Sequence, residues 1–349
     1  MKFLPKHFSV PCGDSVSVVF YDDIHTFIVV DNNYVEPSLV CLYSFHKHNP
    51  DFVVTIYGLD FCEEDIDNYQ QHLHDLGITT YKVESISTAG MNFDYKWNIF
   101  YSDIINIMSA KFKIMENIEK EKYILYFDTD TIFTDSIKPM FMDLHQRELL
   151  GVRYTENKPE INCGIFLAAN LHVKYYTMYL DFFNQNRLKY FNIDEMFLSE
   201  VYENHIVYLP KEYNTYGFIT IEHPRMIHYI GSVKPFMHKN LSNFQCCTPQ
   251  RYADEWYKVY YKIKNRLNAS EDFDKQVAET KTYIENLGNR SLLRPLENTI
   301  DKIFCAGVKC GVNVLSAIVK HLIDKYNKAG NIDESCNRWT GYDRYSVSP

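Results

Sequence analysis

The nine cysteines of this 349-residue chain include no CxxC pair and no zinc-ligand spacing; Cys246-Cys247 and the Cys305/Cys310 pair are irregular. That argues against a zinc site and reads as reduced thiols in a reducing compartment, so a cytoplasmic location is expected. No uncharged apolar run of about 18 residues or more is present, and the start, Met1-Lys-Phe-Leu-Pro-Lys6, lacks one of signal-peptide length. Neither a spanning helix nor a secretory leader is expected, and the Asn-x-Ser sequons at Asn240, Asn268 and Asn289 then read as chance matches. Basic charge is scarce. With 36 Lys and Arg against 45 Asp and Glu the net charge is −9, which argues against a general nucleic-acid binder, because phosphate-backbone affinity needs a basic surface. Neither GxxxxGK[ST] nor GxGxxG occurs, removing the commonest nucleotide-binding loops, and there is no internal repeat or low-complexity tract.

What is present is a folding chain. Hydrophobic residues make up 46%, and the 28 Tyr and 23 Phe suit core packing as well as sugar or base stacking. From Phe27 the chain alternates β-rich runs with helical patterns, the signature of an α/β domain with a mixed, mostly parallel sheet flanked by helices. Strands are expected at 27–30, 52–57, 79–83, 123–127, 149–154, 165–168, 206–209 and 226–230. Helices are expected from Pro37, over 63–76 with Gly77 as its stop, along a face through Phe100, Ile104, Ile107, Met108, Phe112 and Met115, and near 172–186 and 194–204. Residues 1–245 read as one catalytic domain and 246–349 as a helical extension with a loosely ordered tail.

Chemistry concentrates where strand 123–127 ends. Open α/β sheets bind ligands at the carboxyl ends of their strands, and Asp128 and Asp130 follow at once. If strand geometry continues through 128–130, the two carboxylates share a side and flank one position for a hard cation, Mn2+ or Mg2+, which would neutralise a departing diphosphate. A polar turn closing a strand explains the same Asp-Thr-Asp without any metal. An EF-hand does not fit: Ile132, Phe133 and Pro139 stand where that loop needs an oxygen ligand, Gly and Glu.

Tyr123-Ile-Leu-Tyr-Phe-Asp-Thr-Asp-Thr-Ile132 resembles the metal-binding segment of family 8 glycosyltransferases, the group containing glycogenin and lipopolysaccharide galactosyltransferases. Four more segments agree in order: Phe27-Ile-Val-Val-Asp-Asn-Asn-Tyr34, Ile161-Asn-Cys-Gly-Ile-Phe-Leu167, Asn192-Ile-Asp-Glu-Met-Phe197 and His228-Tyr-Ile-Gly-Ser-Val-Lys-Pro-Phe236. The resemblance spans about 27–240. It implies a GT-A fold, Mn2+ or Mg2+ dependence, a UDP-sugar donor and retention of anomeric configuration. Cys163 stands where the family has a small Ala, and Phe236 where it has Trp.

The same resemblance distributes roles. Asp31, Asn33 and Tyr34 would read and stack on the uracil, although turn formation explains them equally. Lys111 takes the family's basic position near the donor phosphate or sugar; on a helix surface a lone Lys is otherwise simply solvated. His228 would be the third metal ligand through a neutral ring nitrogen, Gly231 would admit the diphosphate, and Lys234 would supply a cation to the leaving phosphate. Asn162 and Asp194 would face the reacting sugar, with Glu195 competing for the latter role, and no nucleophile is assigned.

The implied reaction is hexose transfer, from UDP-glucose or UDP-galactose first of all, to a glycan, lipid-linked or protein acceptor. An inverting GT-A enzyme of another family and a non-catalytic nucleotide-sugar-binding module are the alternatives. The amphipathic stretch Ile300–Tyr326, with interspersed lysines, either makes peripheral membrane contact or packs on the catalytic domain or a partner.

Overall fold

A computed structural model describes residues 7–12, 15–91, 105–143, 148–153, 160–186, 193–203, 205–216, 221–230, 233–238 and 249–289. Phe100, Ile104, Gly231 and the stretch 300–326 lie outside the described residues. A hairpin of β1 (His7–Cys12) and β2 (Ser15–Phe20) precedes the main unit. The chain then runs β3 (Ile24–Val30), α1 (Val35–His48), β4 (Val54–Leu59), α2 (Glu63–Leu76), β5 (Tyr81–Ile86), α3 (Ile105–Asn117), β6 (Tyr123–Phe127) and β7 (Thr131–Phe133). There follow β8 (Leu149–Arg153), β9 (Ile161–Ala169), α4 (Tyr175–Asn186), α5 (Ile193–Val201), β10 (Ile206–Leu209), β11 (Met226–His228), β12 (Val233–Lys234), β13 (Met237–His238), α6 (Gln250–Leu267) and α7 (Glu271–Asn289).

Seven strands form the central sheet in the order β10-β8-β9-β6-β3-β4-β5, in which β9 alone runs against both its neighbours. Alternation divides the core. Ile28, Val30, Leu125, Phe127, Ile165 and Leu167 pack with α1, α2 and α6, while Phe27, Val29, Ile124, Tyr126, Phe166 and Ala168 pack with α3, α4 and α5. The α2 boundaries follow from local chemistry. The Asp65 carboxylate accepts the Cys62 N–H at 2.9 Å at the start, and Gly77, at φ 75° in the left-handed region, ends the helix with its N–H on the His74 and Leu73 carbonyls.

Helix α6 belongs to the same core as the sheet. Tyr252, Trp256, Tyr260, Ile263 and Leu267 recur at helical spacing and are buried beside α1 and α2. The Arg266 guanidinium donates to the Asp75 carbonyl at 2.7 and 2.9 Å, satisfying the carboxyl end of α2. Among the described residues no helix is long and apolar enough to cross a membrane.

Candidate active site

Strand β6 stops at Phe127, and Asp128, Thr129 and Asp130 form a turn before the chain re-enters extended structure as β7. The strand geometry therefore does not run through the aspartates, yet both point to one place. The Asp128 N–H donates to the Gly164 carbonyl at 2.9 Å and the Asp130 carbonyl accepts the Tyr229 N–H at 2.9 Å, so neighbouring strands hold the turn from both sides. Antiparallel pairing of β7 with β11 sets His228 opposite Thr131. The imidazole Nε2 then stands 3.5 Å from Asp128 Oδ2 and 3.3 Å from Asp130 Oδ1.

The other imidazole nitrogen decides the character of this cluster. Glu195 Oε1 accepts from Asn162 Nδ2 at 2.8 Å, so Asn162 Oδ1 faces the opposite way and accepts from the Gly164 N–H at 3.0 Å and from Asn214 Nδ2 at 2.6 Å. Nδ1 of His228 meets that same Asn162 Oδ1 at 3.0 Å and Asn214 Oδ1 at 3.2 Å. Two acceptors on this side require Nδ1 to carry the hydrogen, which turns the lone pair of a neutral ring, at Nε2, toward two carboxylates. With the ring neutral, acceptors face acceptors, an arrangement that can hold a cation. One ligand atom from each of Asp128, Asp130 and His228 lies within 4.8 Å of the others, and two hard oxygens plus one imidazole nitrogen suit Mn2+ or Mg2+.

Gly164 is where this packing leaves no room for a side chain. A Cβ there would lie 2.1 Å from His228 Nδ1 and 2.4 Å from Cε1. A register shift at Gly151/Val152 in β8 lies opposite this part of β9, where Val152 pairs with Asn162, and bulges of that kind re-aim side chains beside sites.

The comparison that decides the family is a match of residues 25–193 to the sequence model described as glycosyl transferase family 8. That stretch, just under half of the chain, resembles this family. Solved glycosyltransferase structures share its fold, two of them as follows. The galactosyltransferase LgtC, crystallised with donor and acceptor sugar analogues, aligns at TM-score 0.54 and 18% identity over 72% of this chain and 99% of its own. The glycosyltransferase GlyE of Streptococcus pneumoniae aligns at TM-score 0.52 and 18% identity over 72% of this chain and 64% of its own. The chain thus spans under two thirds of GlyE, and at such identity the likeness is one of fold, GT-A. A search of curated proteins finds no match.

Around the cluster the charges are paired in a definite way. Lys234 donates to Asp130 Oδ2, and its ammonium also sits 5.4 Å from the centre of the Tyr34 ring. Burial pushes the Asp130 carboxyl up, but the Lys234 ammonium beside it outweighs burial and holds the group below the usual carboxylate range. Burial, and then the neighbouring Asp130, raise Asp128 instead. Tyr126, the penultimate residue of β6, donates its hydroxyl to Asp128 Oδ1. Lys111, 2% exposed on α3, donates to Asp194 Oδ2 at 2.8 Å and lies 5.0 Å from the centre of the Tyr126 ring. Its burial is outweighed by Asp194, so its pKa is raised.

Asp31, Asn33 and Tyr34 form the turn after β3: the Asn33 N–H donates to Asp31 Oδ1 at 2.9 Å and the Tyr34 N–H to the Asp31 carbonyl at 3.0 Å. Lys234 ties this turn to the carboxylate pair. The structure thus brings Asp128, Asp130, His228, Asn162, Lys234 and Tyr34 into one region, with Asp194 and Lys111 paired next to it. Glu195 accepts from Asn162 Nδ2 while Asp194 accepts from Lys111, because adjacent residues on α5 point about 100° apart. Asn214, Gly164 and Tyr126 were not singled out in the sequence. Asn214 has no motif around it, and only the side-chain contacts of His228 reveal it.

Proposed function

We propose that this protein is a metal-dependent, retaining glycosyltransferase that moves a hexose, glucose or galactose, from a UDP-sugar to a glycan, lipid-linked or protein acceptor. The observation that carries the reading is the convergence of Asp128, Asp130 and the bare Nε2 of His228, with the Lys234 ammonium beside them, at the carboxyl end of β6. The match of residues 25–193 to glycosyl transferase family 8 supports transfer of a sugar, and the likeness in fold to the galactosyltransferase LgtC, solved with sugar analogues, supports a hexose donor. The three ligands would hold Mn2+ or Mg2+, which supplies charge neutralisation to the diphosphate when bound.

This chain's own residues do the rest. Asn162 and Asn214 fix the His228 tautomer, and Lys234 stands ready to exchange Asp130 for a phosphate oxygen of the leaving UDP. Tyr34 offers a face to the uracil beside Asp31 and Asn33, and Gly231 lets the diphosphate approach the backbone. Asp194, its charge balanced by Lys111, is the carboxylate assigned to the reacting sugar, and Asn162 fixes the floor of that subsite. Residues 1–245 carry donor and acceptor in this scheme, and the helical extension from 246 supports them. A soluble donor of this kind fits a cytoplasmic enzyme.

The test is UDP release and transfer by purified protein over a small UDP-sugar panel, with and without Mn2+, for wild type and Asp130→Asn. Turnover with one donor, lost with EDTA or the substitution, is expected. Absence of both UDP release and metal-dependent UDP binding would sink the reading.

A further inference from the structure

The segment from His228 to Phe236 carries a metal ligand at one end and the phosphate-facing lysine near the other, and α6 grips both ends. Tyr229, next to His228, donates its hydroxyl to the Tyr252 carbonyl at 2.8 Å. At the other end, the two residues after Lys234 are held by their carbonyls: Tyr257 donates to Pro235 O at 3.0 Å, and Gln276 of α7 donates to Phe236 O at 2.6 Å. The Phe236 ring, 1% exposed, lies 5.5 Å from the Trp256 ring on α6 and 5.8 Å, edge to face, from Tyr34. Trp256 in turn stacks on Tyr260 at 4.9 Å and 16°.

A lysine has four rotatable bonds and loses much freedom when its ammonium is fixed. Holding the turn that follows it removes the backbone share of that cost before any ligand arrives. The α6 and α7 contacts fall on Pro235 and Phe236 themselves, at the β12–β13 reversal, and so constrain where the Lys234 stem starts.

We propose that Tyr257 and Gln276 are positioning residues for Lys234, so that the helices beyond the family match tune the affinity of the site for a nucleoside diphosphate. The proposal rests on the UDP-sugar reading above. UDP binding is measured by calorimetry at saturating Mn2+ on the full chain, for Tyr257→Phe and Gln276→Ala in wild-type and Lys234→Ala backgrounds. Each substitution removes one hydrogen bond and is expected to weaken UDP binding about fivefold in the wild-type background. In the Lys234→Ala background the same substitutions are expected to change it by less than about twofold, since groups acting through one side chain are not additive. Unchanged binding in the wild-type background, or an equal loss in both, would overturn the proposal; the second result would mark a general loosening of the fold. If the wild type itself shows no Mn2+-dependent UDP binding, the failure lies with the UDP-sugar reading instead.

Discussion

Replacing Lys234 by Met should change the affinity for metal and the affinity for nucleotide in opposite directions. Lys234 and Asp130 are a pair whose side chains are only 13% and 11% exposed, and Lys234 is the foremost charge holding Asp130 ionised. A metal bound at the cluster must share Asp130 with this ammonium. Two unit charges about 4 Å apart attract by about 4 kcal/mol at an effective dielectric of about 20, and most of that is offset by desolvation of the pair. A net competition of about 1.4 kcal/mol remains a reasonable share, so Lys234→Met should bind Mn2+ alone about tenfold more tightly. With Mn2+ present, the lost charge-assisted contact to the diphosphate, worth about 1.5–3 kcal/mol, should weaken UDP binding by about 10- to 100-fold. Calorimetry with Mn2+ alone, followed by UDP at saturating Mn2+, reads both terms. Weaker binding of the metal alone by Lys234→Met would refute the idea that this lysine competes for Asp130.

Gly164→Ala should lose Mn2+ binding and stability together, since its Cβ would fall 2.1 Å from His228 Nδ1 inside a buried strand; overpacking of this kind costs about 1–3 kcal/mol, read by urea denaturation beside a Mn2+ titration. Unaltered metal affinity would show that His228 is not a ligand. Lys111→Met should destabilise by about 3–5 kcal/mol, because it leaves Asp194 without its buried partner, and adding Asp194→Leu should restore much of that stability without restoring activity. A double variant as unstable as the single one would show that Lys111 matters for its packing against Tyr126 and Phe112 rather than for its charge.

Local pattern made several elements legible. The all-apolar run Tyr123–Phe127 is a strand with those bounds, as is Ile206–Leu209, and α2 begins at Glu63 and ends before Gly77 as its capping chemistry dictates. The sequence predicts a strand over 165–168, but β9 begins at Ile161, because Asn162 and Gly164 look like turn formers until their partners across the sheet are known. Helix α1 starts at Val35, two residues ahead of Pro37, which sits in the first turn where its missing N–H costs nothing.

Order and spacing of short motifs were enough to reach the family, since Asp128-Thr-Asp130 and the His228 to Phe236 segment are contiguous in the chain. Tertiary structure decided what those residues do to one another. Asp130 and Lys234 are 104 positions apart and His228 and Asn162 are 66 apart, so their contacts exist only once β11 pairs with β7 and β9 pairs with β6. Whether Lys111 is a solvated surface lysine or half of a buried pair with Asp194 depends on how α3 packs beside α5, which periodicity along one helix does not encode. The same holds for α6. Its apolar stripe required a partner, and only the folded chain shows that partner to be the α1 and α2 face of the sheet and the turn that follows Lys234.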